Sequence, residues 1–345
     1  MNNHPEILLI YTGGTIGMVK DLKTGALKAF DFDQLLEKIP ELYLLDCKIS
    51  TFSFDQPIDS SDMNPEYWVD MAEVIEKNYH LYDGFVILHG SDTMSYTASA
   101  LSFMLKNLNK PVILTGSQLP IGDLRTDAKE NLITAIQIAS LRENNQPAIN
   151  EVCLYFEYKL YRGNRTTKIS AEHFNAFTSP NISHLAESGV HLKINKDLLL
   201  KNTHSEKFYV HKKLNPNICV LKIFPGISRQ VLESVLCIPD LEGIVLETYG
   251  AGNAPTKDWF IDALKNAIER GVKIVNVTQC WGGSVDMNKY ENGVALRKIG
   301  VVSGHDITTE SAITKMMVLL SNKLNSEDFS KHFQKPNCGE LTISQ

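Results

Sequence analysis

Two glycine-rich turns bearing hydroxyls, and one lysine, hold the side chains of this sequence that could do chemistry. Thr12-Gly13-Gly14-Thr15 closes the apolar run EILLIY, and His89-Gly90-Ser91-Asp92-Thr93 closes GFVIL. A threonine or serine hydroxyl is a poor nucleophile until a neighbouring base takes its proton. The G-x-S-x-G elbow of many serine hydrolases is absent from the sequence, which argues against that arrangement. Lysine can act as the base when burial lowers its hold on a proton, and Lys168 sits in the Gly- and Thr-rich stretch YRGNRTTKIS. These residue types describe a site in which Thr15 attacks, with Ser91, Asp92 and Lys168 as a second polar cluster. Each also has a structural reading. Thr15 and Asp92 suit helix caps, Lys168 a solvated surface lysine, and His89 a packed, hydrogen-bonded histidine. The residues alone leave both readings open.

Other chemistries fit less well. GGTIGM lacks the third glycine of a dinucleotide loop, GAGNAP breaks the same pattern with proline, and no G-x-x-x-x-G-K-[ST] occurs, so phosphate binding is disfavoured. The six cysteines, Cys47, Cys153, Cys219, Cys237, Cys280 and Cys338, form no C-x-x-C pair. That pattern fits free thiols in a reducing cytoplasm rather than a disulfide frame or zinc site. A net charge of −6 without a basic block argues against a nucleic-acid partner. No run approaches the roughly 18 apolar residues of a membrane span, and the first residues lack the pattern of a secretory signal. No metal or cofactor is expected.

The elements that must position these side chains are short apolar runs alternating with helical periodicity. EILLIY, GFVILHG, KPVILTG, EVCLYF, CVLKIF, GIVLETYG, VKIVNVTQ and IGVVSG read as strands. They are apolar at successive positions, as strands covered on both faces are. MNPEYWVDMAEVIEKNY, TMSYTASALSFMLKNL, RTDAKENLITAIQIASLRE, APTKDWFIDALKNAIERG and SAITKMMVLLSNKL read as helices. The alternation predicts an α/β fold with a parallel sheet. In such a sheet ligands bind beyond the carboxyl ends of the strands, which is where the hydroxyl-rich turns fall. Residues 1–190 are expected to form a larger N-terminal catalytic domain and 218–345 a smaller α/β domain. The polar, lysine-rich stretch 191–217 is read as a linker, with a surface hairpin as the alternative.

Taken in order along nearly the whole chain, YTGGTIGM, SSDM, DGFVILHGSDTM, TASALSFML, GSQLP, LYRGNRTTK, YGAGNAP and VTQC resemble bacterial-type L-asparaginases of the cytoplasmic type I branch. The resemblance implies a Rossmann-like α/β domain plus a smaller α/β domain, assembled as a homodimer or a dimer of dimers. It implies hydrolysis of L-asparagine to L-aspartate and ammonia through an acyl-enzyme on Thr15. Ser91, Asp92 and Lys168 match the family's assisting Thr-Asp-Lys cluster. Ser60, Ser61 and Asp92 match positions that hold the substrate's α-carboxylate and α-ammonium. Main-chain donors around Gly90 and Ser91 suit an oxyanion. Asn253 corresponds to a residue reaching across the dimer interface, and Thr167 and Cys280 match a second, allosteric asparagine site found in some type I enzymes. The rival readings are a glutaminase or mixed-specificity amidohydrolase, and a catalytically weak paralogue that binds an amino acid.

Two departures from the family pattern stand out. Ser91 replaces the usual threonine, keeping the hydroxyl but losing the methyl that restrains its rotamer. The loop MVKDLKTGALKAF, residues 18–30, carries no tyrosine where the family closes a lid over the site, and Ala26 sits near that position.

Overall fold

The computed structural model describes residues 4–20, 27–29, 39–201, 206–288 and 291–343. The chain divides into two compact units, Met1–Lys212 and Lys213–Gln345. Both are α/β.

The larger unit is built on an eight-stranded mixed sheet. Its parallel part comprises β1 (Glu6–Gly13), β2 (Lys48–Ile58), β3 (Gly84–Leu88), β4 (Val112–Thr115) and β5 (Val152–Phe156), in the spatial order 2-1-3-4-5. Helices α1 (Pro65–Asn78), α2 (Met94–Met104) and α3 (Ala128–Ala139) link successive parallel strands. Ile7, Leu9 and Tyr11 of β1 join Val86, Leu88 and Ile113 in a core with Leu132, Ala135 and Ile136 of α3. The alternate residues Leu8, Ile10, Phe85, Ile87 and Leu114 are buried as well. Burial on both faces is why these strands read as continuous apolar runs. Each fully buried side chain of this kind stabilises the fold by about 1.5–3 kcal/mol.

β2 is different. It forms the sheet edge, most of its residues are partly or fully exposed, and its sequence KISTFSFDQPI mixes polar and apolar residues. Pro57, which cannot donate to a ladder, is tolerated on such an edge.

Beyond β5 the sheet turns antiparallel through β6 (Lys159–Arg162). A separate antiparallel pair, β7 (Thr167–Lys168) and β8 (Phe177–Thr178), follows. The sheet then ends with β9 (Ala186–Glu187) and β10 (Lys193–Ile194). The segment read as a linker is thus tied down over much of its length. Buried Arg162 donates to the Glu151 carboxylate at 2.6 Å and to the Leu198 carbonyl at 2.6 Å, while Leu200 N–H donates to the same carboxylate at 2.8 Å. Farther on, Phe208 stacks on Tyr79 with ring centres 3.6 Å apart, and Tyr209–Val210 pairs with Leu105–Lys106.

The smaller unit carries four parallel strands, β11 (Ile218–Lys222), β12 (Gly243–Thr248), β13 (Lys273–Thr278) and β14 (Val302–Ser303), in sequential order. Helices α4 (Arg229–Leu236), α5 (Asp258–Glu269) and α6 (Glu291–Lys298) contribute to one core. Helices α7 (Thr309–Leu320) and α8 (Ser326–Gln334) contribute to the other. Lys315 of α7 is fully buried, where its ammonium donates to the Glu340 carboxylate and to the carbonyls of Phe333 (2.6 Å) and Lys335 (2.9 Å). Among the described residues, no helix is long and apolar enough to cross a membrane.

Candidate active site

From β1 the chain passes to β2 on one side and then to β3 on the other. The crevice at the carboxyl ends of β1 and β3 is therefore the topological switch point, where an open α/β sheet offers room for a ligand. Ile10 pairs with Ile87 and Tyr11 with Leu88, which carries Gly13-Gly14-Thr15 alongside Gly90-Ser91. The two turns touch through their glycines. A Cβ on Gly14 would lie 2.5 Å from the Gly90 nitrogen and 2.6 Å from its Cα. A Cβ on Gly90 would in turn collide with the Ser60 side chain. Gly14 also holds φ at +85°, a conformation that glycine alone adopts freely. The doubled glycine in YTGGT is thus a device for close approach of backbones.

Thr15 begins a short 3-10 turn and is half-buried. The turn is held from both ends: Gly17 N–H donates to the Gly14 carbonyl at 3.3 Å, and the Tyr11 hydroxyl donates to the Gly17 carbonyl at 3.2 Å. Burial pushes the Tyr11 phenol up to about 12, so it remains a donor at neutral pH. Thr12, by contrast, spends its hydroxyl on the Leu88 carbonyl at 2.9 Å, leaving Thr15 as the threonine of this turn that is open to a ligand.

Lys168 connects the second turn to the rest of the site. Its ammonium lies 2.9 Å from Ser91 Oγ and 2.6 Å from Asp92 Oδ1. The Lys168 side chain is largely covered, at 17% exposure, whereas that of Asp92 is 67% exposed. Asp92 therefore does not cap α2; the cap position is Thr93, whose hydroxyl donates instead to the Ser60 carbonyl at 2.7 Å. That bond, with the Ser60 side chain against Gly90, brings Ser60 into the cluster. Ser61 lies next along the chain, exposed, with its hydroxyl and N–H both donating to Asp59 at 2.8 and 2.9 Å.

Gln118 is the residue that the sequence reading left out of the site. The Ser91 hydroxyl donates to its Oε1 at 3.1 Å, and its Nε2 donates to the His173 carbonyl at 3.1 Å. Its own N–H is held by the buried Asp127 carboxylate at 3.0 Å. The signal was present in GSQLP, directly after a strand. His89 is wholly buried and bonded at both ring nitrogens, to the Gly90 carbonyl at 2.7 Å and to Thr97 Oγ1 at 2.9 Å.

Three more candidates are placed within their own units. Thr167 pairs with Thr178 next to Lys168 in the larger unit. Asn253 closes a bridge with Tyr249 in the smaller unit. Cys280 is exposed there, its N–H donating to Thr278 Oγ1 at 3.1 Å. Ala26 and most of the loop around it lie outside the described residues. Among the described residues, no group of three or more His, Cys, Asp or Glu side chains is placed to hold a metal ion.

Fold and site together define a class: two-unit α/β proteins with a half-buried threonine and a Ser-Asp-Lys cluster meeting at the switch point of a parallel sheet. The family models described as "Asparaginase, N-terminal" and "Glutaminase/Asparaginase C-terminal domain" match residues 6–200 and 217–333. The chain is 44% identical to L-asparaginase 1 of Escherichia coli, over 98% of each sequence. Its structure is similar to that of L-asparaginase I from Vibrio cholerae, with a TM-score of 0.89, 42% identity, and 98% and 99% of the two chains covered. The thermostable L-asparaginase of Thermococcus kodakarensis also gives a TM-score of 0.89, at 32% identity and with 98% and 100% of the chains covered. The chain belongs to the asparaginase family.

Proposed function

We propose that this protein hydrolyses L-asparagine to L-aspartate and ammonia, with Thr15 as nucleophile. The observation that carries the reading is the Lys168–Ser91–Asp92 cluster meeting the Gly14-Thr15 turn at the switch point, with Lys168 2.9 Å from Ser91 Oγ and 2.6 Å from Asp92. In the first half-reaction Thr15 Oγ bonds to the side-chain amide carbon and gives up its proton through the Ser91 hydroxyl to Lys168, which acts in this step as the neutral amine. The C–N bond then breaks, the nitrogen takes a proton and ammonia leaves, with the aspartyl group esterified to Thr15. Water attacks that ester, aspartate departs and the hydroxyl is restored. The backbone N–H groups of Gly90 and Ser91 face the oxygen that becomes negative in each step, the kind of fixed donor that stabilises a tetrahedral intermediate.

Substrate recognition follows from charge. Asp92 offers its exposed carboxylate to the α-ammonium, while the hydroxyls of Ser60 and Ser61 receive the α-carboxylate. Asn253 serves the site from the neighbouring subunit of a homodimer or dimer of dimers, in the cytoplasm. The test is ammonia release from L-asparagine and L-glutamine by the wild type beside Thr15→Val. Turnover of asparagine that is lost in the variant supports the reading. Turnover that survives the variant overturns Thr15 as nucleophile. Preference for glutamine moves the enzyme to the glutaminase class, a difference of one methylene and about 1–3 kcal/mol.

A further inference from the structure

We infer that His89 is a positioning residue for catalysis, which aims the Ser91 main-chain N–H at the reacting carbonyl by holding the other end of the same peptide unit. The inference rests on the proposed amide hydrolysis and concerns a side chain that never touches substrate.

The wiring is fully determined by the bonds. Trp68 Nε1–H can only donate, and it gives its proton to Thr97 Oγ1 at 3.0 Å. Thr97 Oγ1 also lies 2.9 Å from His89 Nε2. The Gly90 carbonyl can only accept, so the 2.7 Å contact puts the ring proton on His89 Nδ1 and leaves Nε2 of the neutral ring to accept from the Thr97 hydroxyl. Burial pushes the imidazole down to about 4, so this tautomer persists through the neutral range.

Every peptide bond described is trans, and in a trans peptide the C=O and N–H point in opposite directions. The Gly90 carbonyl is drawn toward the fully buried imidazole. The Ser91 N–H on the far side of that peptide therefore points away from the buried imidazole. Among the described residues this N–H has no acceptor. A glycine at position 90 could rotate its peptide readily; the imidazole bond removes that freedom. The three-residue relay thus sets the orientation of one backbone donor before substrate arrives, which is how such donors avoid reorganisation during reaction.

The test uses three variants of the full chain with L-asparagine as substrate. His89→Asn keeps an N–H near the position of Nδ1, His89→Gln moves it outward, and His89→Leu removes it. The expected result is a kcat at least about tenfold lower for Leu and Gln, part of the roughly 10²–10³ that loss of a whole oxyanion donor costs. KM should stay within about threefold, and Asn should recover most of kcat, because a donor used only in the transition state changes kcat rather than KM. The kcat–pH profile of His89→Asn above pH 5 should overlay the wild type, as it would not for a titrating catalyst. Equal kcat for Asn and Gln, or a loss confined to KM, overturns the inference while wild-type turnover leaves the proposed function standing. A wild type without amide hydrolysis overturns both. Should the Leu protein fail to fold, the Asn and Gln pair decides.

Discussion

Placing an alanine at residue 14 tests the geometry on which the site depends. The new Cβ would lie 2.5 Å from the Gly90 nitrogen and 2.6 Å from its Cα, so the ends of β1 and β3 must part by about 1 Å to reach ordinary contact. Two costs follow. Holding alanine at φ +85° costs about 1–2 kcal/mol, and overpacking a tight site costs about 1–3 kcal/mol more. The sum is about 2–5 kcal/mol, and each kcal/mol lowers the melting point by about 2–4 °C for a unit of this size. Gly14→Ala should therefore melt roughly 4–20 °C below the wild type. The same displacement separates Thr15 from Ser91, and misplacement by about 1 Å costs on the order of 100-fold in rate. The assay pairs thermal unfolding with ammonia release from L-asparagine. Gly189→Ala is the control, because Gly189 is exposed with only the His191 carbonyl near its Cβ position, at 3.9 Å; it should stay within about 0.5 kcal/mol. If Gly14→Ala melted within about 2 °C of the wild type and kept its kcat, the reasoning from backbone contact to catalytic geometry would be refuted.

Three further outcomes are expected. Ser91→Thr should raise kcat by restoring a β-branched side chain whose rotamer is restrained; an unchanged or lower rate would count against that reading of the substitution. Burial holds His89 near 4 in the folded chain against 6.5 when unfolded. The unfolded state thus binds the extra proton between those values, and stability falls by roughly 3 kcal/mol as pH drops from 6.5 to 4. Urea titrations across that window should show a shallower slope for His89→Asn, by about one proton, and parallel slopes would remove the effect. If Thr167 and Cys280 serve a second asparagine site, the wild-type rate should rise sigmoidally with asparagine and Thr167→Ala should make the curve hyperbolic. A wild-type curve that is already hyperbolic speaks against it.

The parts of this fold that were legible in the sequence are those in which burial is complete on both faces. EILLIY, GFVILHG, KPVILTG and EVCLYF could be little other than central strands, and the glycine- and hydroxyl-rich ends marked the ligand crevice. β2 escaped notice although it is the longest strand among the described residues, with 11 residues, because it is largely exposed and so has no continuous apolar run, and Pro57 interrupts what run there is. β9 and β10 are two-residue strands, too short for any period, and they owe their place to pairing and to Arg162 and Glu151. α4, with eight residues, is too short to establish a helical repeat. At the site, Thr15, Ser91, Asp92 and Lys168 were readable as reactive types, but which of them meet was not. The bond between Lys168 and Ser91 spans 77 residues of sequence and depends on where the separate β7–β8 pair sets Lys168. Gln118 looked like one more strand-end polar residue until its amide was seen bridging Ser91 and His173.

The Lys315–Glu340 pair bears on how residues 335–340 can be altered. Residues 335–340 supply one carbonyl that accepts from, and the carboxylate that neutralises, the buried ammonium of Lys315 on α7, so this stretch is an internal strut. Leaving a buried cation without its counter-charge costs about 3–5 kcal/mol. Deleting residues 335–340 should accordingly harm the protein more than deleting an equal length of exposed loop.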